Sequence, residues 1–280
     1  METKPHATRR LSGDLPFFCG LGIIAWLYVG LILAMVLANV SVVSWDTLVQ
    51  TWRQPAIQSS IKLTLLSCTT TALLSILCAV PTGYLLARFK FRGRSVMDAI
   101  MDIPIVLPPL VVGLSLLILF NKVDLLGAGP IEGWLNDHGM SVTYSVAAVV
   151  LAQFSVATAF AVRMMKNTFE QIDPRCEDVA MTLGCNRSQA FWRVALPQAG
   201  QGVVAAGVLA WARALGEFGP ILVFAGATRG RTEVLSTSVF LEINLGNIGG
   251  AAAVSLIMIA LAISLISLIR YFTRSESNFF

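Results

Sequence analysis

Two ionisable side chains interrupt a long apolar run late in the chain: Arg213 and Glu217, four residues apart in RALGEFGPILVFAG. On a helix that spacing puts them on one face, within reach of an ion pair. Charged groups in an apolar setting pair with each other and face a bundle interior or a wet path. Two readings are open: a structural brace that holds a bend, or a gate in which Arg213 attracts an anion while Glu217 is neutralised by pairing. Little else could do covalent chemistry. The two histidines, His6 and His138, lie outside the apolar runs, and Cys19, Cys68, Cys78, Cys176 and Cys185 form no CxxC pair. No HExxH, GxSxG or Cys/His cluster occurs, so no metal or other cofactor is expected and the chain reads as non-catalytic. Without a GxxxxGK(S/T) loop it cannot cradle nucleotide phosphates in the usual way, so energy for any work comes from a gradient or a partner.

The elements that hold these residues must sit in lipid. The chain is 56% hydrophobic and 13% charged, against about 25% charged in a soluble domain. Six segments are long enough to span a bilayer, which takes roughly 20 residues: near 17–40, 61–87, 98–120, 142–163, 194–225 and 251–271. The expected fold is an all-α membrane protein with one membrane domain over 17–271, an N-terminal segment 1–16 and a short tail 272–280. The first apolar run exceeds a signal-peptide core and lacks a small-residue cleavage site, so a retained first helix is expected. The third segment is broken by Pro104, Pro108 and Pro109. Proline removes a backbone donor and kinks a helix, and in lipid the freed carbonyls must find neighbouring helices or a wet cavity. That segment is either a kinked packing helix or one that lines a pathway. The fifth segment is overlong and carries Arg213 and Glu217.

Loop charges orient the chain. Lys4, Arg9 and Arg10 precede the first span; Arg88, Lys90, Arg92 and Arg94 follow the second; Arg163, Lys166, Arg175, Arg187 and Arg193 follow the fourth; Arg270 and Arg274 close the chain. The opposite loops hold only Arg53, Lys122, Arg229 and Arg231. Basic residues mark the cytoplasmic side, so both termini and the 163–193 region are expected in the cytoplasm. Cys176 and Cys185 then face a reducing compartment, where disulfides are rare. The small basic excess does not suggest nucleic acid.

Within that region, EDVAMTLGCNRSQAFWRVALPQAG (177–200) reads as a soluble module. Asp173-Pro174 is a helix start, with a capping carboxylate and then proline at the first helical position. A helix through Leu183 should stop at Gly184. Asn186 or Ser188 can cap a second piece, 189–194, before Leu196-Pro197 turns the chain into the next span. Ala180, Leu183 and Gly184 offer a low-relief face for another protein, and Phe191, Trp192 and Val194 can anchor the second piece at the membrane surface.

The pattern Asp178-Val179-Ala180, three residues, Gly184, nine residues, Val194-x-Leu196-Pro197 resembles the EAA loop of ATP-binding-cassette importer permeases. Asp-Val stands where that family has Glu-Ala. The resemblance extends to PTGYLLARFKFRGRSVMDAIMDIPIVLPPLVVG (81–113) and to RALGEFGPILVFAG (213–226). The last phrase, with Arg231-Thr232-Glu233, is similar to permeases for molybdate, tungstate and sulfate, and its Gly-Glu-Phe-Gly form is closer to the molybdate/tungstate branch. The resemblance implies that Asp178, Val179, Ala180, Gly184, Leu196 and Pro197 couple to a cytoplasmic ATPase dimer, which binds the ATP. It also implies an extracytoplasmic oxyanion-binding protein and a second permease copy, making a homodimeric pore. Arg213, Glu217, Pro108 and Pro109 are the expected pathway or gate residues. The alternatives are a sulfate/thiosulfate permease, a gradient-driven carrier, which would show two related halves with matching broken helices, and a membrane enzyme.

Overall fold

The computed structural model describes residues 15–124 and 129–276. The expectations for His6, for Lys4, Arg9 and Arg10, and for residues 277–280 lie outside these. The described chain is helical: α1 (Leu15–Val42), α2 (Trp45–Arg53), α3 (Pro55–Arg88), α4 (Arg94–Val106), α5 (Pro109–Lys122), α6 (Ile131–Asp137), α7 (Val146–Gln171), α8 (Arg175–Thr182), α9 (Arg187–Ala190), α10 (Leu196–Gln198), α11 (Gly200–Leu215), α12 (Gly219–Phe224), α13 (Leu235–Asn244) and α14 (Ile248–Glu276). A single π-helical turn, Phe191–Ala195, joins α9 to α10.

Among the described residues, four helices are long and apolar enough to cross a membrane: Phe17–Val42, Pro55–Arg88, Val146–Gln171 and Ile248–Leu265. The other two expected spans are broken. The third is not one kinked helix, because α4 and α5 meet at 113°. Leu107 and Pro108 are extended there, and the conformation that a proline imposes on the residue before it disfavours helix. The fifth bends by 70° between α10 and α11 and stops at Leu215 instead of running to 225. Gly216, Glu217 and Phe218 then separate it from α12.

The centre of the bundle is the trio α3, α7 and α11. Helices in lipid gain no hydrophobic drive toward each other, so close approach of small residues and interhelical hydrogen bonds decide their contact. The buried stripe of α3 reads Ser60, Thr64, Ser67, Thr71, Ser75, Ala79 and Gly83. A Cβ on Gly83 would lie 2.7 Å from the Met165 Cβ of α7. Gln153 of α7 ties all three helices. Its Oε1 accepts from the Thr71 hydroxyl at 3.2 Å, and its Nε2 donates to the Ala214 carbonyl at 3.1 Å. At about 1.5 Å per residue, α3 is roughly 50 Å long, well beyond a bilayer core of about 30 Å. Its C-terminal end stays packed on the end of α7, with Leu86 fully buried and the Tyr84 ring 5.3 Å from that of Phe169. By contrast, α1 leans on α14 and is otherwise uncovered.

α4 runs antiparallel to the end of α7 and is fastened there by a ladder of ion pairs. Lys166 contacts Asp98 at 2.7 Å, Arg163 pairs with Asp102, and Arg94 lies 3.7 Å from Glu170. Two glycines seat α5 on α12. A Cβ on Gly113 would meet the Pro220 Cα at 2.7 Å, and one on Gly219 would meet the Leu110 amide nitrogen at 3.1 Å.

Candidate functional site

Two places hold the expected functional residues. The first is the module from Asp173 to Pro197. The Asp173 carboxylate accepts from the Arg175 amide at 3.0 Å just before α8, and Pro174, expected at the first helical position, is instead the N-cap residue. The helix ends in a Schellman arrangement: the Cys185 amide donates to the Ala180 carbonyl and the Gly184 amide to the Met181 carbonyl, both at 3.1 Å. That geometry needs a left-handed residue, and Gly184 has φ +96°. Asn186, not Ser188, caps the next helix. Its Oδ1 accepts from the Gln189 amide at 2.8 Å, and the Gln189 side chain returns an acceptor to the Asn186 amide at 2.9 Å. The second piece therefore starts at Arg187, earlier than expected, and passes through the π turn.

The relief of this module differs from expectation. Leu183 is not part of a flat face: it is 81% exposed and forms a knob, with Val179 56% exposed beside it and Asp178 exposed between α8 and solvent. Ala180 is half-buried and Gly184 open. Trp192 projects outward, but Phe191 turns inward onto Tyr84, at 4.6 Å between ring centroids. Leu196 and Pro197 follow the π turn and sit apart from α8. The bend into α11 falls two residues later, at Ala199.

Sequence reasoning missed what holds the module in place. Glu177, next to the exposed Asp178, is buried. Its Oε1 accepts from Arg88 Nε at 2.7 Å and its Oε2 from the Tyr84 hydroxyl at 2.5 Å. Arg88 also donates to the Ile172 carbonyl at 2.9 Å. The cleft beside them, of about 230 Å³, is lined on α8 by Glu177, Asp178 and Met181 and on α9 by Arg187. The only sequence signal was a carboxylate on the apolar side of a short helix, and nothing in it named a partner 89 residues away.

The second place is a cleft of about 310 Å³ that brings Pro108, Pro109, Arg213 and Glu217 together. Gly216, Phe218, Gly219 and Leu110 complete it. The Arg213 guanidinium lies 2.7 Å from Glu217 Oε1 and 5.4 Å from the centroid of the Phe160 ring. Glu217 is buried at 1% exposure, whereas the Arg213 side chain keeps 30%. The carboxylate is thus screened and the cation faces the cleft. Ser236 donates to the Glu217 carbonyl at 2.6 Å, pinning the unwound stretch to α13. The bent tips of α4/α5 and of α11/α12 therefore meet here, each opened by proline or glycine.

The Arg231-Thr232-Glu233 phrase folds as a lock outside the spans. Thr232 accepts from the Thr228 amide, and Glu233 accepts from Ser238. Burial raises the Glu233 carboxyl above the usual carboxylate range. Among the described residues, no group of His, Cys, Asp and Glu could hold a metal ion.

With this geometry in view, the likeness to known proteins is informative. Residues 79–277 match the family model described as "Binding-protein-dependent transport system inner membrane component". The chain is 30% identical to the sulfate transport system permease protein CysT of Escherichia coli (strain K12), over 94% of this chain and 90% of that one. It is 34% identical to the molybdenum transport system permease protein ModB of Mycobacterium tuberculosis (strain ATCC 25618 / H37Rv), over 89% and 91%. It is 31% identical to the molybdate/tungstate transport system permease protein WtpB of Thermococcus kodakarensis (strain ATCC BAA-918 / JCM 12380 / KOD1), over 94% and 97%. The fold matches a crystal structure of a bacterial alginate ABC transporter in complex with an alginate pentasaccharide-bound periplasmic protein, with a TM-score of 0.72, 17% identity and 97% of this chain covered. The chain belongs to the inner membrane components of binding-protein-dependent transport systems, the non-catalytic, multi-pass permeases of ABC transporters.

Proposed function

We propose that this chain is the permease of an ATP-driven importer of a tetrahedral oxyanion, with molybdate or tungstate as its cargo. The observation that carries the reading is the cleft at Pro108, Pro109, Arg213 and Glu217, where a half-buried guanidinium faces the opening and pairs with a fully buried carboxylate. A dianion approaching this cleft meets the accessible cation of the pair first, with the carboxylate buried behind it; an unpaired Glu217 would repel it. The likeness to permeases named for sulfate, molybdenum and molybdate/tungstate supports the anion class. A sulfate or thiosulfate cargo is the second reading, favoured by the 30% identity to CysT.

In this reading the basic ends and the 173–197 module lie in the cytoplasm, which the distribution of Lys and Arg supports. Asp178, Val179, Ala180 and Gly184 dock an ATPase subunit, and Leu196-Pro197 leads from the docking module into the next span. Two copies of the chain enclose the path, two ATPase subunits bind below, and an oxyanion-binding protein delivers cargo on the other face. The deciding experiment is calorimetric titration of the cognate external binding protein with molybdate, tungstate and sulfate, followed by uptake of each anion by the reconstituted complex. Tight binding and uptake of molybdate or tungstate, with sulfate at least about a hundredfold weaker, is the expected outcome; that gap is roughly 2.8 kcal/mol. Preferential sulfate uptake would establish the second reading, and a neutral cargo would refute both.

A further inference from the structure

α8 is weakly packed for a helix placed to transmit force. It packs chiefly on α9 and the π turn, not on the membrane-crossing helices. Its direct tie to α3 is a side-chain clamp. Adjacent carboxylates on α8 face opposite ways: Asp178 is exposed, while Glu177 is 7% exposed and bonded to Arg88 and Tyr84 at the C-terminal end of α3. Arg88 reaches on to the Ile172 carbonyl, at the end of α7. The Tyr84 ring packs on Phe169 of α7 and Phe191 of the π turn, at centroid distances of 5.3 and 4.6 Å. From α7 the ion-pair ladder at Lys166 and Arg163 fastens α4, and α4 ends one residue short of Pro108 in the anion cleft.

We propose that Glu177 is the positioning residue that couples α8 to the gate: clamped by Arg88 and Tyr84, it passes displacement of the docked module into α3 and α7, and through the ladder into α4 and Pro108. This rests on the reading of α8 as the ATPase-docking helix. A buried carboxylate held by a guanidinium and a phenol transmits force because pulling it away leaves an uncompensated charge, a costly state. Asp178 makes the contact outside and Glu177 carries it inside.

The test uses the full transporter in proteoliposomes, with Glu177→Gln, Glu177→Ala and Tyr84→Phe. Three quantities are read: ATPase co-purification, ATP hydrolysis, and molybdate and sulfate uptake per ATP hydrolysed. Glu177→Gln keeps the shape and removes the charge; Tyr84→Phe removes one hydrogen bond. We expect each variant to retain the ATPase and to hydrolyse ATP within about twofold of the parent, while uptake per ATP falls roughly tenfold in Glu177→Gln and less in Tyr84→Phe. A role confined to folding would lower all three quantities in proportion to the amount of assembled complex. Unchanged uptake per ATP in Glu177→Gln overturns the proposal. So does loss of ATPase binding in Glu177→Gln with normal membrane insertion, since Glu177 would then belong to the docking surface. If Glu177→Ala does not assemble, Glu177→Gln and Tyr84→Phe decide the matter. Failure of the parent chain to retain the ATPase refutes the docking reading itself, and is distinguished by appearing without any substitution.

Discussion

Replacing Gly184 separates a backbone requirement from a docking requirement. The residue has φ +96°, and a Cβ built on it meets no atom within 4 Å. Within this chain, therefore, a side chain at 184 costs conformational energy alone. A left-handed residue with a Cβ costs about 1 kcal/mol, a factor of about five in the population of the capped end. That is too little to remove the permease from the membrane. Against a docked partner the same side chain is extra bulk in a packed surface, at about 1–3 kcal/mol, so affinity should fall by roughly 5-fold to 150-fold. Three variants divide these terms. Gly184→Asn tolerates the left-handed backbone better than other residues and adds moderate bulk; Gly184→Ala adds strain and little bulk; Gly184→Leu adds both. The expected order of ATPase retention is parent, then Ala and Asn, then Leu, with molybdate uptake following the same order and membrane insertion equal in all. The assay is co-purification of the ATPase with each variant, paired with uptake. If Gly184→Leu retains the ATPase and transports normally, the module is an interfacial helix and the docking assignment fails.

Removing the cation from the cleft should be worse than removing the acid. Arg213→Ala leaves the 1% exposed Glu217 carboxylate without its counter-ion and should destabilise the detergent-solubilised protein by about 3 kcal/mol, whereas Glu217→Gln should cost clearly less; thermal unfolding of both variants gives the comparison. Gly113→Ala places a Cβ 2.7 Å from the Pro220 Cα, forcing α5 off α12 at about 1–3 kcal/mol, while Gly20→Ala meets no atom within 4 Å and, inside α1, should leave the unfolding temperature unchanged or slightly raised. Reporter fusions after Arg94, Lys166 and Ser275 should all report cytoplasm, and a periplasmic signal after Lys166 would place the module out of reach of any ATPase. Native mass spectrometry of the purified complex should show two permease copies; a mass that fits one copy would remove the shared-pore reading.

The residues by themselves carried the membrane class, the helical content and the local caps. Composition alone demands lipid. Asp173-Pro174 and Gly184 mark the ends of α8 because a cap and a left-handed stop are properties of a few consecutive residues. The pairing of Arg213 with Glu217 was also legible, since a spacing of four fixes it locally. What the sequence could not decide was anything resting on contacts between distant segments. Hydropathy scores 98–120 and 194–225 as continuous, because it cannot see a backbone direction. Proline marks a break near Pro108 locally, but the 113° angle of α4 to α5 belongs with the seating of α5 on α12, where Gly113 and Gly219 allow close approach across the bundle. Leu183 reads as part of a flat surface in a linear pattern, and becomes a knob only when the helix end sets its direction. Glu177 and Asp178 are neighbouring carboxylates, and the sequence names no partner for either. Tertiary packing turns one inward to Arg88 and Tyr84 and leaves the other in solvent, because the C-terminal end of α3 meets one side of α8 only.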